Sequence, residues 1–308
     1  MRAATRTGIA ALPAMLCGAA AVLGGAASVA AGNSWGADYF PNVPLTTHEG
    51  KVVRFYDDLL KGKAVAINLI YTHCSASCPL ETAKLAQVQR LLGDRVGKDV
   101  FFYSISIDPS RDTPEVLKAY AQKFHAGPGW LFLTGKEQDI QLLSSKLGLS
   151  SLTDAARRDG HLPSLMVGHE PTGQWMRNSA VDNPRFLATI IGDFLGWRDE
   201  KPQRSYADLR ELPKIDKGEY LFRSRCAACH TVGKGDGIGP DLAGVTTRRD
   251  HCWVARYVAE PDRVLADGDP IATELFARYK DVRMPNLSLA PDEVAVLLSY
   301  IEKQGRGR

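Results

Sequence analysis

The chain has 308 residues, 44% of them hydrophobic, and a formal net charge of +3 at pH 7. That length exceeds one average domain, so two are expected, and a near-balanced charge with no clustered basic stripe in the body of the chain excludes a nucleic-acid partner. Of the six cysteines, four fall in two tight pairs, which excludes the spread pattern of a disulfide framework.

At the amino terminus, Arg2 and Arg6 precede an uncharged run over 8–31 that ends in the small-x-small triplet Ser28-Val29-Ala30. Residues 1–31 read as a signal peptide, and the protein is expected to be exported to the periplasm. The run is nearly long enough to span a bilayer, so an uncleaved anchor tethering the protein to the inner membrane is the alternative. Cys17 inside this run follows Ala14-Met15-Leu16, which lacks the small residue of a lipoprotein site, and reads as an apolar filler.

Residues 39–58 are mixed, with Pro41, Pro44 and Gly50 marking turns. The run 64–71 (AVAINLIY) is the continuous apolar stretch of a strand covered on both faces. After a loop with Cys74 and Cys78, the residues Leu80, Ala83, Leu85, Val88, Leu91 and Leu92 recur at helical spacing, with Pro79 in the first turn. A second strand is expected over 100–107. Thr113 caps a helix that begins at Pro114 and runs to Phe124. A short strand over 130–133, a helix over 138–147, a hairpin of 164–168 with 174–177 around Thr172-Gly173, and a helix over 183–195 complete the unit. Strands alternating with helices, and a dithiol between the first central strand and its helix, predict an α/β thioredoxin-like domain over 36–197.

Residues 198–213 are polar and aperiodic and read as a linker. The remainder, 214–308, is helix and loop. Helices are expected over 216–225, 253–258, 271–279 and 291–304, separated by the glycine-rich stretch 233–239. The fold class is therefore an α/β thioredoxin-like domain followed by an all-α domain.

Cys226-Ala227-Ala228-Cys229-His230 is the haem-attachment pattern: two thiols form thioethers to the porphyrin and the adjacent imidazole ligates iron. Met284, in the polar turn Arg283-Met284-Pro285-Asn286, supplies a thioether for the second axial position. Zinc lacks further ligands at metal spacing. The segment from Lys214 to Gln304 resembles a class I cytochrome c domain on CAACH, Gly239-Pro240-Asp241-Leu242 and Met284-Pro285. The resemblance implies one covalent haem c, Cys226 and Cys229 as thioether residues, His230 and Met284 as axial ligands, and Pro240 beside the histidine. Cys252, next to His251, reads as a buried helix thiol.

Cys74 and Cys78 lie four positions apart where a helix dipole favours thiolate, and soft thiolates serve copper, disulfide exchange or a structural disulfide. Among candidate third ligands, His73 abuts Cys74 and points away, His125 and His169 sit at turns, and His161 stands in the loop entering the hairpin. The stretch from Phe40 to Trp197 resembles the SCO/SenC family of copper-handling, thioredoxin-like proteins. The matches are Tyr71-Thr72-His73-Cys74 with Cys78-Pro79, and Ser106-Ile107-Asp108-Pro109 with Arg111-Asp112-Thr113-Pro114-Glu115. This resemblance implies one copper held by Cys74, Cys78 and His161, Asp108 near the site, and assistance in assembling the copper centre of cytochrome c oxidase. The sequence departs from the family in Ser75-Ala76-Ser77 between the cysteines and in Gly160-His161-Leu162-Pro163, where Pro163 has the alternative of a cis-proline against the dithiol. The expected partners are an oxidase subunit or other copper acceptor, an electron-transfer protein and the membrane surface. The alternative function is a thiol–disulfide oxidoreductase or peroxidase using Cys74 and Cys78.

Overall fold

The computed structural model describes residues 35–74, 77–149, 163–196 and 216–306. A seven-stranded sheet of order β2-β1-β5-β4-β3-β6-β7 forms the first half. Its central strands are β3 (Ala64–Ile70), β4 (Val100–Ser106) and β5 (Trp130–Gly135), paired in parallel. The hairpin of β6 (Ser164–His169) and β7 (Gln174–Ser179) adds antiparallel to β3, with Ala64 opposite His169 and Asn68 opposite Leu165. On the other edge, β1 (Pro44–Thr47) and β2 (Val52–Arg54) occupy the stretch expected to be turns. Their three or four residues are too short to show an alternating pattern, so only pairing to β5 reveals them.

Strand β3 is buried along its whole length, as its unbroken apolar run requires. Ala64, Ala66 and Ile70 face one core, shared with α1 (Cys78–Leu92), α2 (Pro114–Lys123) and α4 (Pro184–Phe194). Val65, Ile67 and Leu69 face the other, closed by α3 (Glu137–Lys146) and the π-helical turn Phe55–Leu60. Thr113 caps α2 as expected, its side chain accepting from the Val116 amide.

The second half is helical: α5 (Lys217–Leu221), α6 (Val245–Arg248), α7 (His251–Ala259), α8 (Pro261–Ala266), α9 (Pro270–Arg278) and α10 (Pro291–Arg306). Leu221, Phe222, Val254, Val294, Leu297, Leu298 and Ile301 form its core. Gly218 lets α5 cross α10 closely; a Cβ there would stand 2.4 Å from the Val296 carbonyl oxygen. The leader 1–31 and the stretch 198–213 lie outside the described residues, and among those described no helix is long and apolar enough to cross a membrane.

Helix α1 departs from the amphipathic expectation. Glu81 and Thr82 are fully buried and Lys84 is 3% exposed, while Leu91, on the expected apolar stripe, is 47% exposed. The cause is cover on the outer face of its first two turns, where α4, the loop after β7 and the haem-motif segment all pack. Lys84 donates to the Val181 carbonyl. Burial, with Arg225 beside it, pushes the Lys84 ammonium down to about 8 against a weaker upward pull from Asp182. Unfolded, the same lysine holds its proton to 10.5. Between these values the unfolded state binds the extra proton, so stability rises with pH. Lys84→Met should flatten the stability curve in that window by up to about 1.4 kcal/mol per pH unit relative to wild type. Denaturant titrations at several pH values check this, and parallel curves for the two proteins would contradict it.

Candidate functional site

Strand β3 ends at Ile70, and the chain turns through Thr72 and His73 to bring Cys74 under the amino end of α1. Cys74 is 2% exposed and Cys78 fully buried, packed with Tyr71 and Ile107. They are not joined in a disulfide, and the two sulfurs are hydrogen-bonded neighbours. The dipole argument predicts a thiolate here, but the opposite holds for Cys78. Burial raises its thiol well above the usual range, reinforced by the bond to Cys74 and by the negative charge of Glu81 one turn on. Desolvation outweighs the helix end because no water reaches the sulfur.

The His73 ring meets two carboxylates. Its Nε2 lies 3.0 Å from Asp108 Oδ2 and its Nδ1 3.9 Å from Asp112 Oδ1. Both carboxylates are buried. Asp108 accepts from Ser110 Oγ at 2.7 Å and its amide donates to Ser106 Oγ at 3.0 Å. Asp112 accepts from the Thr72 amide at 3.1 Å, Thr72 Oγ1 at 2.6 Å and Ser106 Oγ at 2.5 Å. These bonds tie the dithiol loop to the segment before α2. The sequence reading placed Asp108 near the site and gave Asp112 no role. Thr72 lies 40 positions away from its partner Asp112, and no local signal reports such a pairing.

His125 sits at a turn with φ of 56°, whereas His169 is the last residue of β6, bonded through Nδ1 to Thr172 Oγ1 at 2.8 Å. His161 lies outside the described residues, as do Ser75 and Ala76. Among the described residues no group of three His, Cys, Asp or Glu side chains is arranged to hold a metal. No cis peptide occurs among them either, and Leu162, which precedes Pro163, is outside them. Pro163 itself accepts the Ala180 amide at 2.7 Å.

In the second half, a π-helical turn, Phe222–Cys226, carries the chain from α5 into the haem motif. Cys226, His230 and Met284 all line one apolar cavity with Tyr257, Leu275 and Pro285, and Cys229 opens onto it. A second lobe of the same region is lined by Arg248, Arg249, Arg278 and Trp253. His230 Nδ1 donates to the Pro240 carbonyl at 2.9 Å, which leaves Nε2 directed elsewhere. Burial lowers the imidazole's pKa, so it is held neutral, the form that ligates a metal. Gly239 is required at its edge, since a Cβ there would stand 2.6 Å from His230 Cε1. Burial pushes the Cys226 and Cys229 thiols up to about 12 each. A flat apolar slot with a neutral imidazole, a thioether, two thiols and a cationic far end fits a haem. Cys252, expected to be buried, is exposed: it is the second residue of α7, whose buried face is set by Val254.

The class these features define is a thioredoxin-like α/β domain carrying a buried dithiol, joined to a helical domain built around a haem slot. Residues 36–162 match the SCO1/SenC family model and residues 215–305 the cytochrome c family model. The chain thus carries a SCO1/SenC domain followed by a C-terminal cytochrome c domain. A SCO2-like protein of Rickettsia felis is 38% identical over 136 residues, 42% of this chain and 64% of that protein. The chain thus spans less than two thirds of that relative's length. A SCO1/SenC family lipoprotein from Bacillus anthracis is 27% identical, covering 52% of this chain and 95% of that one, with a TM-score of 0.44. The cytochrome c domain of a Pseudomonas putida protein is 47% identical, covering 29% of this chain and 89% of that one, with a TM-score of 0.28.

Removing Asp112 strands the Thr72 and Ser106 hydroxyls and the Thr72 amide in a buried site. Asp112→Ala is therefore expected to cost about 2–4 kcal/mol of stability. Chemical denaturation measures it, and a loss below about 0.5 kcal/mol would contradict the role given to the carboxylate.

Proposed function

We propose that the protein is an exported copper-handling protein whose haem domain exchanges single electrons with the copper site. Cys74 and Cys78 supply two sulfurs and His161 the third ligand, and copper is the cargo, passed to a copper-accepting protein such as a subunit of cytochrome c oxidase. The observation that carries this reading is the burial of an adjacent pair of thiols with the Cys78 proton held tightly. A thiol with a raised pKa is a poor nucleophile at neutral pH, whereas a bound cation displaces its proton outright. Copper(I) favours soft sulfur, and an imidazole completes a three-coordinate sphere.

His230 and Met284 would hold the iron axially, with Cys226 and Cys229 as the covalent attachments. Bound haem supplies a one-electron couple, which matches copper(I)/copper(II) in electron count. His230 is oriented by Pro240, the slot is lined mostly by apolar side chains, and Arg248, Arg249 and Arg278 offer positive charge at the far lobe. The leader over 1–31 and the small-x-small triplet support export, either as a cleaved protein or one anchored to the inner membrane. The linker over 198–213 joins the two domains.

Thiol–disulfide exchange at Cys74 and Cys78 is the second reading, favoured by the thioredoxin-like placement of the pair. Copper titration of wild type and His161→Ala separates the two. A ligand role predicts a loss of copper affinity beyond the roughly 10–100-fold that an outer-shell change costs. Unchanged copper affinity, with persistent reduction of a disulfide substrate, would favour thiol exchange. On the same samples, the optical spectrum should show a low-spin c-type haem that changes on Met284→Ala, and a spectrum indifferent to that change would remove Met284 as a ligand.

A further inference from the structure

Helix α1 has a third covered face that neither domain's own core explains. At its start, Leu80 lines the haem cavity together with Cys226, Cys229 and Met284, although it belongs to the thioredoxin-like half. One turn on, Lys84 lies close enough to Arg225 to be depressed by its charge. A further turn on, Gln87 Nε2 donates to the Ala227 carbonyl at 3.1 Å. Ala228, Cys229, Ile238 and Val282 pack against the core that α1 shares. Positions 80, 84 and 87 form one stripe of a helix at i, i+4 and i+7.

We propose that this stripe, Leu80, Lys84 and Gln87, is a docking surface for the thioether edge of the haem domain of the same chain, and that Leu80 is the positioning residue holding that edge against the helix that begins at Cys78. Leu80 lies two residues along α1 from Cys78 and itself walls the haem cavity, so the same first turn of the helix carries both. The positioning role rests on the electron-exchange reading above, while the docking role does not. The transfer it serves moves one electron from reduced haem iron, giving iron(III), to copper(II), giving copper(I). No bond is made or broken and no proton moves. Ascorbate, a one-electron donor, reloads the haem. Among the described residues, the Gln87 hydrogen bond and a small apolar patch hold the seam against the like-charge repulsion between Lys84 and Arg225, so a further charge on the stripe should release it.

The experiment uses the full haem-loaded chain, as wild type, Leu80→Asp and Gln87→Arg. Gln87 is half-buried, so its variant keeps the test alive if Leu80→Asp fails to fold. Hydrogen–deuterium exchange should show amides of 225–239 protected in wild type and exchanging at least tenfold faster in the variants, with the haem spectrum unchanged in Gln87→Arg, whose side chain does not line the haem cavity. With copper(II) bound, flash reduction of the haem should be followed in wild type by copper reduction at a rate independent of protein concentration, slowed at least tenfold in the variants. Exchange that is the same in wild type and both variants would overturn the docking surface. Altered exchange with an unchanged electron-transfer rate would overturn the positioning role of Leu80. Altered exchange with no copper reduction even in wild type would overturn that role together with the electron-exchange reading, leaving the docking surface standing.

Discussion

The burial of α1 on every side over its first two turns is the constraint on which the rest of the molecule depends. A helix on the face of an open sheet normally keeps one side in water. Here Glu81, Thr82 and Lys84 are withdrawn from solvent beside two buried thiols. Thr82 Oγ1 donates to the Cys78 carbonyl at 2.9 Å and lies 3.1 Å from the Tyr120 hydroxyl, and Ser77 Oγ donates to Glu81 at 2.7 Å. Burying polar groups is costly unless each is bonded. The bonds also hold the amino end of α1, and with it Cys78, in one position.

That rigidity has a chemical consequence. Burial acts on Cys78 and on His230 in the same manner, disfavouring the charged form in each. For the imidazole, this leaves the neutral ligand form. For the Cys78 thiol, it suppresses free thiolate. On the proposed reading, a bound metal would supply at each site the charge that burial withholds. The Asp108 and Asp112 carboxylates are as buried as the thiols, and the partially exposed His73 imidazole meets them.

Much of this was legible in the amino-acid order because the signals are local. The run at 64–70 is apolar on both faces and became the central strand. The Thr113-Pro114 pair began a helix, and Thr172-Gly173 turned a hairpin, with Gly173 at a φ of 67°. CxxCH with a following methionine brought four donors to one cavity. What escaped was non-local or a matter of environment. Strands β1 and β2 are too short for periodicity, and Asp112 meets Thr72 only across the fold. The sign of the Cys78 shift depends on how much water remains at the helix end, which spacing does not report. The helical stripe on α1 was visible, but the second covering layer was not, because it comes from more than 130 positions downstream. Cys252 failed for the converse reason: a thiol beside a helix cap has no neighbour to bury it.

The central claim is that one helix holds the dithiol site and the haem edge together. Pulsed electron paramagnetic resonance on the full chain, with oxidised haem and copper(II) bound, measures the separation of the two paramagnetic centres directly. A short, narrow distance distribution, broadened by a charge placed at position 80, is the predicted result. A long and broad distribution in the wild-type protein would contradict the account.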